Sequence, residues 1–161
     1  VMASNFGKSV PRPYGTWHLE AMDSHGAWIA SVIDLVRFGS VVGNFEKSKI
    51  LSPMSIAAMT QRPEGAANLD SKGKPKPMFY GLGWFVRPAG GKHSRWHTGS
   101  LDGTAALLAL RHDDLCWAVL FNTRARPIGN HAGRQIDPLL HQAAAAVKEW
   151  PKHDLFKTDR N

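Results

Sequence analysis

The run Cys116-Trp-Ala-Val-Leu-Phe121 constrains the fold more than any other segment, because the strand it predicts is apolar on both faces. Side chains alternate along a strand, so such a run needs cover above and below its sheet. A strand partner lies close by. Ala105 to Leu110 is equally apolar, and Asp113-Asp114 between the two runs reads as a tight hairpin turn. Helical cover is also available: Pro138 to Trp150 sets Leu139, Leu140, Ala143, Ala144 and Val147 on one face, and Asp137-Pro138 marks the start. The expected fold class is therefore α/β in the layered, α+β sense, an antiparallel sheet with helices packed on it.

The rest of the chain divides around that sheet. Residues 1–30 read as irregular, broken by Pro11, Pro13, Gly15 and Gly26. Residues 31–63 read as helical. Ser31 and Asp34 have the spacing of a capping box, Val32, Leu35, Val36 and Val42 recur at helical intervals, and Gly43 is a natural stop. A second helix starts at Ser52-Pro53 and ends by Pro63. Residues 64–77 are charged, turn-rich and without period, which predicts a mobile surface loop. Antiparallel strands are expected within 78–124, near 80–87, 94–101, 105–111 and 116–122, followed by the C-terminal helix at 136–150.

With 161 residues and 43% hydrophobic content, the chain suits one domain with a core. The net charge of +7 raises the question of a nucleic-acid partner. Lys72, Lys74 and Lys76 fall in the loop, however, and Arg124, Arg126 and Arg134 fall elsewhere, with no helix-turn-helix, zinc-finger or RNP-like pattern. The expectation is solvated surface charge and no nucleic acid, with a positive field that can draw in carboxylate-bearing substrates. No apolar run approaches the ~20 residues that span a bilayer, and the N-terminus has no signal-peptide pattern. The single cysteine, Cys116, reads as a small buried hydrophobe. His93 and His97 are about 13 Å apart if both lie on one strand, too far to share an ion, so neither metal nor cofactor is expected.

The chemistry-bearing stretch is His97-Thr98-Gly99-Ser100, polar and set just before the two apolar runs. Its company gives it weight. Tyr80-Gly-Leu-Gly-Trp84 lies upstream, Glu20-Ala-Met-Asp-Ser-His-Gly-Ala-Trp-Ile-Ala-Ser-Val-Ile-Asp-Leu-Val-Arg-Phe38 leads into the first helix, and Trp117 to Arg124 closes the series. Together these four blocks, in order over about residues 20 to 145, resemble the penicillin-recognising serine hydrolases: class C β-lactamases, D-Ala-D-Ala carboxypeptidases and related esterases. His97-Thr98-Gly99 resembles that family's third motif, in which Lys or His precedes Thr or Ser and then Gly on a strand edging the active site.

The resemblance implies the C-terminal part of a β-lactamase/transpeptidase-like fold, acting on a small amide, ester or peptide through an acyl-enzyme. It implies that the Ser100 backbone N–H is an oxyanion donor, that Gly99 lets substrate approach, that Thr98 can bind a substrate carboxylate, and that His97 assists proton transfer or hydrogen-bonds across the site. The family's other two motifs are a nucleophilic Ser-x-x-Lys and a Tyr-x-Asn. Ser71-Lys-Gly-Lys74 matches the first literally, but its glycine- and proline-rich flanks predict a solvated loop rather than the buried helix that activates such a serine. Tyr14-Gly-Thr and Tyr80-Gly-Leu both fail as Tyr-x-Asn.

The expected partner is therefore a missing N-terminal half of the same protein, and the chain alone should be inactive. By resemblance the compartment is periplasmic, extracellular or cytoplasmic. The alternative reading is a non-catalytic binding module of the same fold that lacks the nucleophile. For both faces of strand 94–101 to be accessible, that strand should be a sheet edge, open toward the missing half.

Overall fold

A computed structural model describes residues 2–5, 7–15, 17–43, 50–124 and 132–152. The chain opens with an antiparallel ribbon, β1 (Met2–Asn5) and β2 (Lys8–Pro11), turning at Gly7 with φ +77°. Three short 3-10 turns follow, up to His25. The segment expected to be irregular thus contains a separate two-stranded sheet, which the neighbouring Pro and Gly breakers concealed.

Helix α1 (Val32–Gly43) forms as its cap predicts. Ser31 Oγ accepts from the Asp34 N–H at 3.1 Å, and Asp34 Oδ2 accepts from the Ser31 N–H at 3.1 Å and from its hydroxyl at 2.7 Å. These hydrogen bonds from Ser31 hold the Asp34 carboxyl below its ordinary range. The cap is therefore intact at neutral pH and weakens only as pH falls through that depressed value. Helix α2 (Pro53–Thr60) is capped by Ser52, whose Oγ accepts from the Ser55 N–H at 3.1 Å. Replacing Ser52 with alanine should lower stability by about 1 kcal/mol, read as a smaller urea midpoint with an unchanged slope.

The main sheet has five antiparallel strands in sequential order: β3 (Phe79–Tyr80), β4 (Phe85–Ala89), β5 (Lys92–Leu101), β6 (Thr104–Leu110) and β7 (Cys116–Phe121). Two-residue loops join β4 to β5 and β5 to β6. Gly90 and Gly91 both take positive φ, +57° and +81°, as a right-twisted hairpin requires. The β6–β7 turn forms around the expected acidic pair. Arg111 N–H donates to Leu115 O at 2.8 Å, and Asp114 takes φ +68°.

Helix α1 covers one face of β6 and β7. Gly39 makes that approach possible, since a Cβ there would lie 2.7 Å from Cys116 Sγ and 3.2 Å from Leu108 Cδ1. On this side Val42, Phe79, Trp84, Val86, Leu108 and Leu110 form the buried core. Burial pushes the Cys116 thiol up in pKa, which keeps it protonated and inert. Alternation sends Leu107 and Ala109 to the other face, against helix α3 (Ala132–Ala146), where the Trp117 and His141 rings meet edge-on at 4.8 Å. The two-sided cover that Cys116–Phe121 demanded is present.

Four expectations need correction. The single strand expected at 80–87 is two strands, β3 and β4, separated by a turn at Gly81–Trp84. The C-terminal helix starts at Ala132 and ends at Ala146, with Pro138 inside it rather than at its first turn. Of its expected apolar stripe Leu140 and Ala144 are half-buried, while Leu139 remains 55% exposed. The 64–77 loop is on the surface, but its turns are stitched: Asp70 Oδ1 accepts from the N–H groups of Lys72 and Lys74 at 2.8 and 2.9 Å, and Lys76 Nζ donates to Ala67 O at 2.8 Å. Strand 94–101, expected as an edge, lies within β5, the third of the five strands.

Candidate active site on strand β5

Strand β5 is not paired uniformly along its length. Its pairing with β4 covers Lys92 to Trp96 and stops there, whereas its pairing with β6 continues from Arg95 to Leu101. Among the described residues, His97, Thr98, Gly99 and Ser100 are therefore paired on one side only. The first half of β5 is a central strand and the motif half is an open edge.

Register decides which backbone groups face that opening. Residues bracketing a two-residue hairpin loop exchange both hydrogen bonds. Ala89 and Lys92 bracket one such loop, and Leu101 and Thr104 bracket the other. Even-numbered residues of β5 thus point their N–H and C=O toward β4, and odd-numbered ones toward β6. Thr98 and Ser100 continue the β4-facing row past the last β4 partner. Their backbone donors and acceptors point into the open edge, as an unpaired sheet edge presents them.

The turn at Gly81–Trp84 creates this opening. If β4 ran back from Phe85 through Gly83 to Gly81 in the same register, it would cover His97 to Ser100. Instead the Gly81 N–H donates to Trp84 O at 2.8 Å, Gly83 takes φ +78°, and the Leu82 N–H donates to Met59 O at 3.1 Å. Trp84 is 6% exposed and anchors the turn in the core. A Cβ on Gly81 would overlap the Met59 carbonyl oxygen, so only glycine fits against the end of α2. Gly81 and Gly83, which fall in the stretch expected as strand 80–87, are turn residues, and by steering β3 and β4 they expose the motif.

At one end of the open stretch stands His97. It is exposed, and the Tyr80 hydroxyl lies 2.9 Å from its Nε2. Tyr80 meets Phe85 edge-on at 4.9 Å, and Phe85 stacks on Trp96 at 5.6 Å. Thr98, Gly99 and Ser100 are half-buried. Gly99 faces Ala106, where an added Cβ would sit 3.3 Å from the Ala106 Cβ. Its small size therefore also serves packing against β6.

Asp102 closes the other end. Its carboxylate is 9% exposed and bridges Arg12 Nε at 3.0 Å and Arg124 Nη1 at 3.2 Å. Gly103 packs on Pro13, where a Cβ would lie 2.8 Å from Pro13 Cγ. The N-terminal segment is thereby fastened to the β5–β6 turn, two residues beyond Ser100. The guanidinium of Arg95, buried on β5, is lowered to about 10 by desolvation, opposed by Asp114, and remains charged at neutral pH.

Tyr80, Asp102, Arg12 and Arg95 carry no spacing signal that singles them out. Tyr80 sits inside a recognised block and Asp102 two residues beyond another, yet the partner of Tyr80 is 17 residues away and those of Asp102 are 90 and 22 residues away in the chain. Lys72, Lys74 and Lys76 lie on the stitched loop, and Arg126 is outside the described residues. Ser71 and Lys74 are exposed on that same loop with Gly73 between them at φ +71°, so they do not share a helical face. Among the described residues no group of three or more His, Cys, Asp or Glu side chains is placed to hold a metal ion.

No curated protein and no solved structure matches the chain at a significant level. The family model described as Beta-lactamase does match, over residues 3–140, which takes in α1, α2, the whole five-stranded sheet and most of α3. The α+β architecture, with its open antiparallel strand edge at His97-Thr98-Gly99-Ser100, and the match over most of the sequence agree: this chain belongs to the β-lactamase family.

Proposed function

We infer that the chain forms one wall of a serine-hydrolase active site, with the nucleophile supplied by residues outside these 161. The observation that carries this reading is the end of β4 pairing at Trp96, beside His97. An amide or ester substrate laid along the exposed row of Thr98 and Ser100 meets backbone groups already held in place by β6. When a serine Oγ attacks the substrate carbonyl carbon, the carbonyl π electrons move to oxygen, and the Ser100 N–H is a preorganised donor for that oxyanion. The proton given up by the serine hydroxyl passes to the leaving group, which departs as amine or alcohol as the intermediate collapses, and water then hydrolyses the acyl-serine to the carboxylic acid and regenerates the serine hydroxyl. Thr98 and the Arg12–Asp102–Arg124 end of the edge suit a substrate carboxylate. D-Ala peptides and β-lactams carry both the carbonyl and the carboxylate, while small esters use the carbonyl and its oxyanion donor alone.

The test uses a fluorophosphonate probe and two chromogenic substrates, nitrocefin and p-nitrophenyl acetate. The 161-residue chain should hydrolyse neither substrate above buffer and should label no serine. A longer polypeptide carrying this segment behind a helical Ser-x-x-Lys should label at that serine. Mapping the label to Ser71 would overturn the assignment of the nucleophile. A longer natural polypeptide with no labelled serine would favour a non-catalytic binding module.

A further inference from the structure

In the Tyr80–His97 pair the phenol oxygen meets one imidazole nitrogen, Nε2, which bears on how His97 works if the open edge is the active site proposed above. We propose that Tyr80 is the positioning residue of His97, engaging Nε2 and leaving Nδ1, with its proton, as the nitrogen offered to substrate.

Three features of the geometry lead there. The Tyr80 oxygen is 2.9 Å from Nε2 and the two rings are tilted at 59°, a hydrogen bond to a ring nitrogen rather than a stacked contact. Tyr80 is itself held, meeting Phe85 edge-on at 4.9 Å with an interplanar angle of 73°, while Phe85 stacks on Trp96. The phenol is thus supported from β4 and β5 and does not depend on His97 for its position. Finally, a phenol hydroxyl is a good donor and an imidazole lone pair a good acceptor, so the favoured arrangement is O–H to Nε2. A neutral imidazole carries one proton, and accepting at Nε2 places it on Nδ1.

The consequence is specific. Neutral His97 is a hydrogen-bond donor through Nδ1 at the open edge, not a base through Nε2. On protonation, Nε2 also carries hydrogen and the hydroxyl turns to accept from it, so Tyr80 keeps the ring oriented in both charge states. The glycine turn that opens the edge also sets Tyr80 at the end of β3, within reach of His97. One backbone feature therefore exposes the motif and supplies its positioning residue.

The experiment is a long-range 1H–15N NMR spectrum of the 15N-labelled 161-residue chain, taken at a pH where His97 is neutral. It separates the two ring nitrogens and shows which one bears hydrogen. The wild-type chain should show the proton on Nδ1. In Tyr80→Phe, which keeps the ring on Phe85 and removes only the hydroxyl, the proton should shift to Nε2, the tautomer preferred by a free imidazole side chain. Backbone amide peaks remote from β3 and β5 report whether the variant is folded.

A wild-type proton on Nε2 overturns the proposal by itself, whatever the variant does. An unchanged tautomer in folded Tyr80→Phe overturns it as well. The hydrolase reading fails separately. A longer natural polypeptide in which the fluorophosphonate labels no serine, beside an Nδ1–H signal, would remove that reading and leave the pairing standing.

Discussion

Replacing His97 with alanine in a form of the protein that carries its nucleophile should lower kcat/KM roughly 10²–10⁴-fold, the usual loss for a positioned acid–base or hydrogen-bonding group. Stability should hardly change. The side chain is exposed, and its hydrogen bond to Tyr80 is of a kind worth about 0.5–1.5 kcal/mol at most. The contrast between a large kinetic and a small thermodynamic effect separates a catalytic side chain from a structural one. Steady-state rates with a chromogenic β-lactam and a p-nitrophenyl ester, alongside urea unfolding, measure both. A kcat/KM within about threefold of the parent, with unfolding unchanged, would show that His97 contributes nothing to transition-state stabilisation.

Replacing Leu107 with alanine should have the opposite profile, a loss of about 2–5 kcal/mol of stability, typical of a leucine removed from a packed site. Leu107 is 1% exposed and is one of the largest fully buried side chains. It sits mid-strand on β6, paired with Thr98 on one side and Val119 on the other. Neither neighbour can collapse into the space without breaking sheet register, so the cavity persists. Leu139 offers the control: at 55% exposed, its replacement should stay within about 0.5 kcal/mol. Urea midpoints at constant slope read the difference, and a Leu107 effect below about 1 kcal/mol would mean that the α3 face is not a packed core.

Local chemistry determined much of this fold. The Ser31–Asp34 and Ser52 caps act between residues three apart, and the hairpin turns act between residues two to five apart, so the sequence alone locates α1, α2 and the β6–β7 turn. The two-sided apolar run at Cys116–Phe121 required a layered sheet, and the ordered motif blocks pointed to the β-lactamase family and to His97–Ser100. Tertiary contacts decided the rest. Tyr80-Gly-Leu-Gly-Trp84 lies in the stretch expected as one strand and becomes a turn because Gly81 meets the Met59 carbonyl and Trp84 is drawn into the core, both long-range events. Pro138 looked like a helix start, yet α3 runs through it. Above all, residue types can nominate a strand, but whether Thr98 and Ser100 lie at an edge depends on where a neighbouring strand stops. That is a property of register between segments, and here it is settled by a glycine turn packed against another helix.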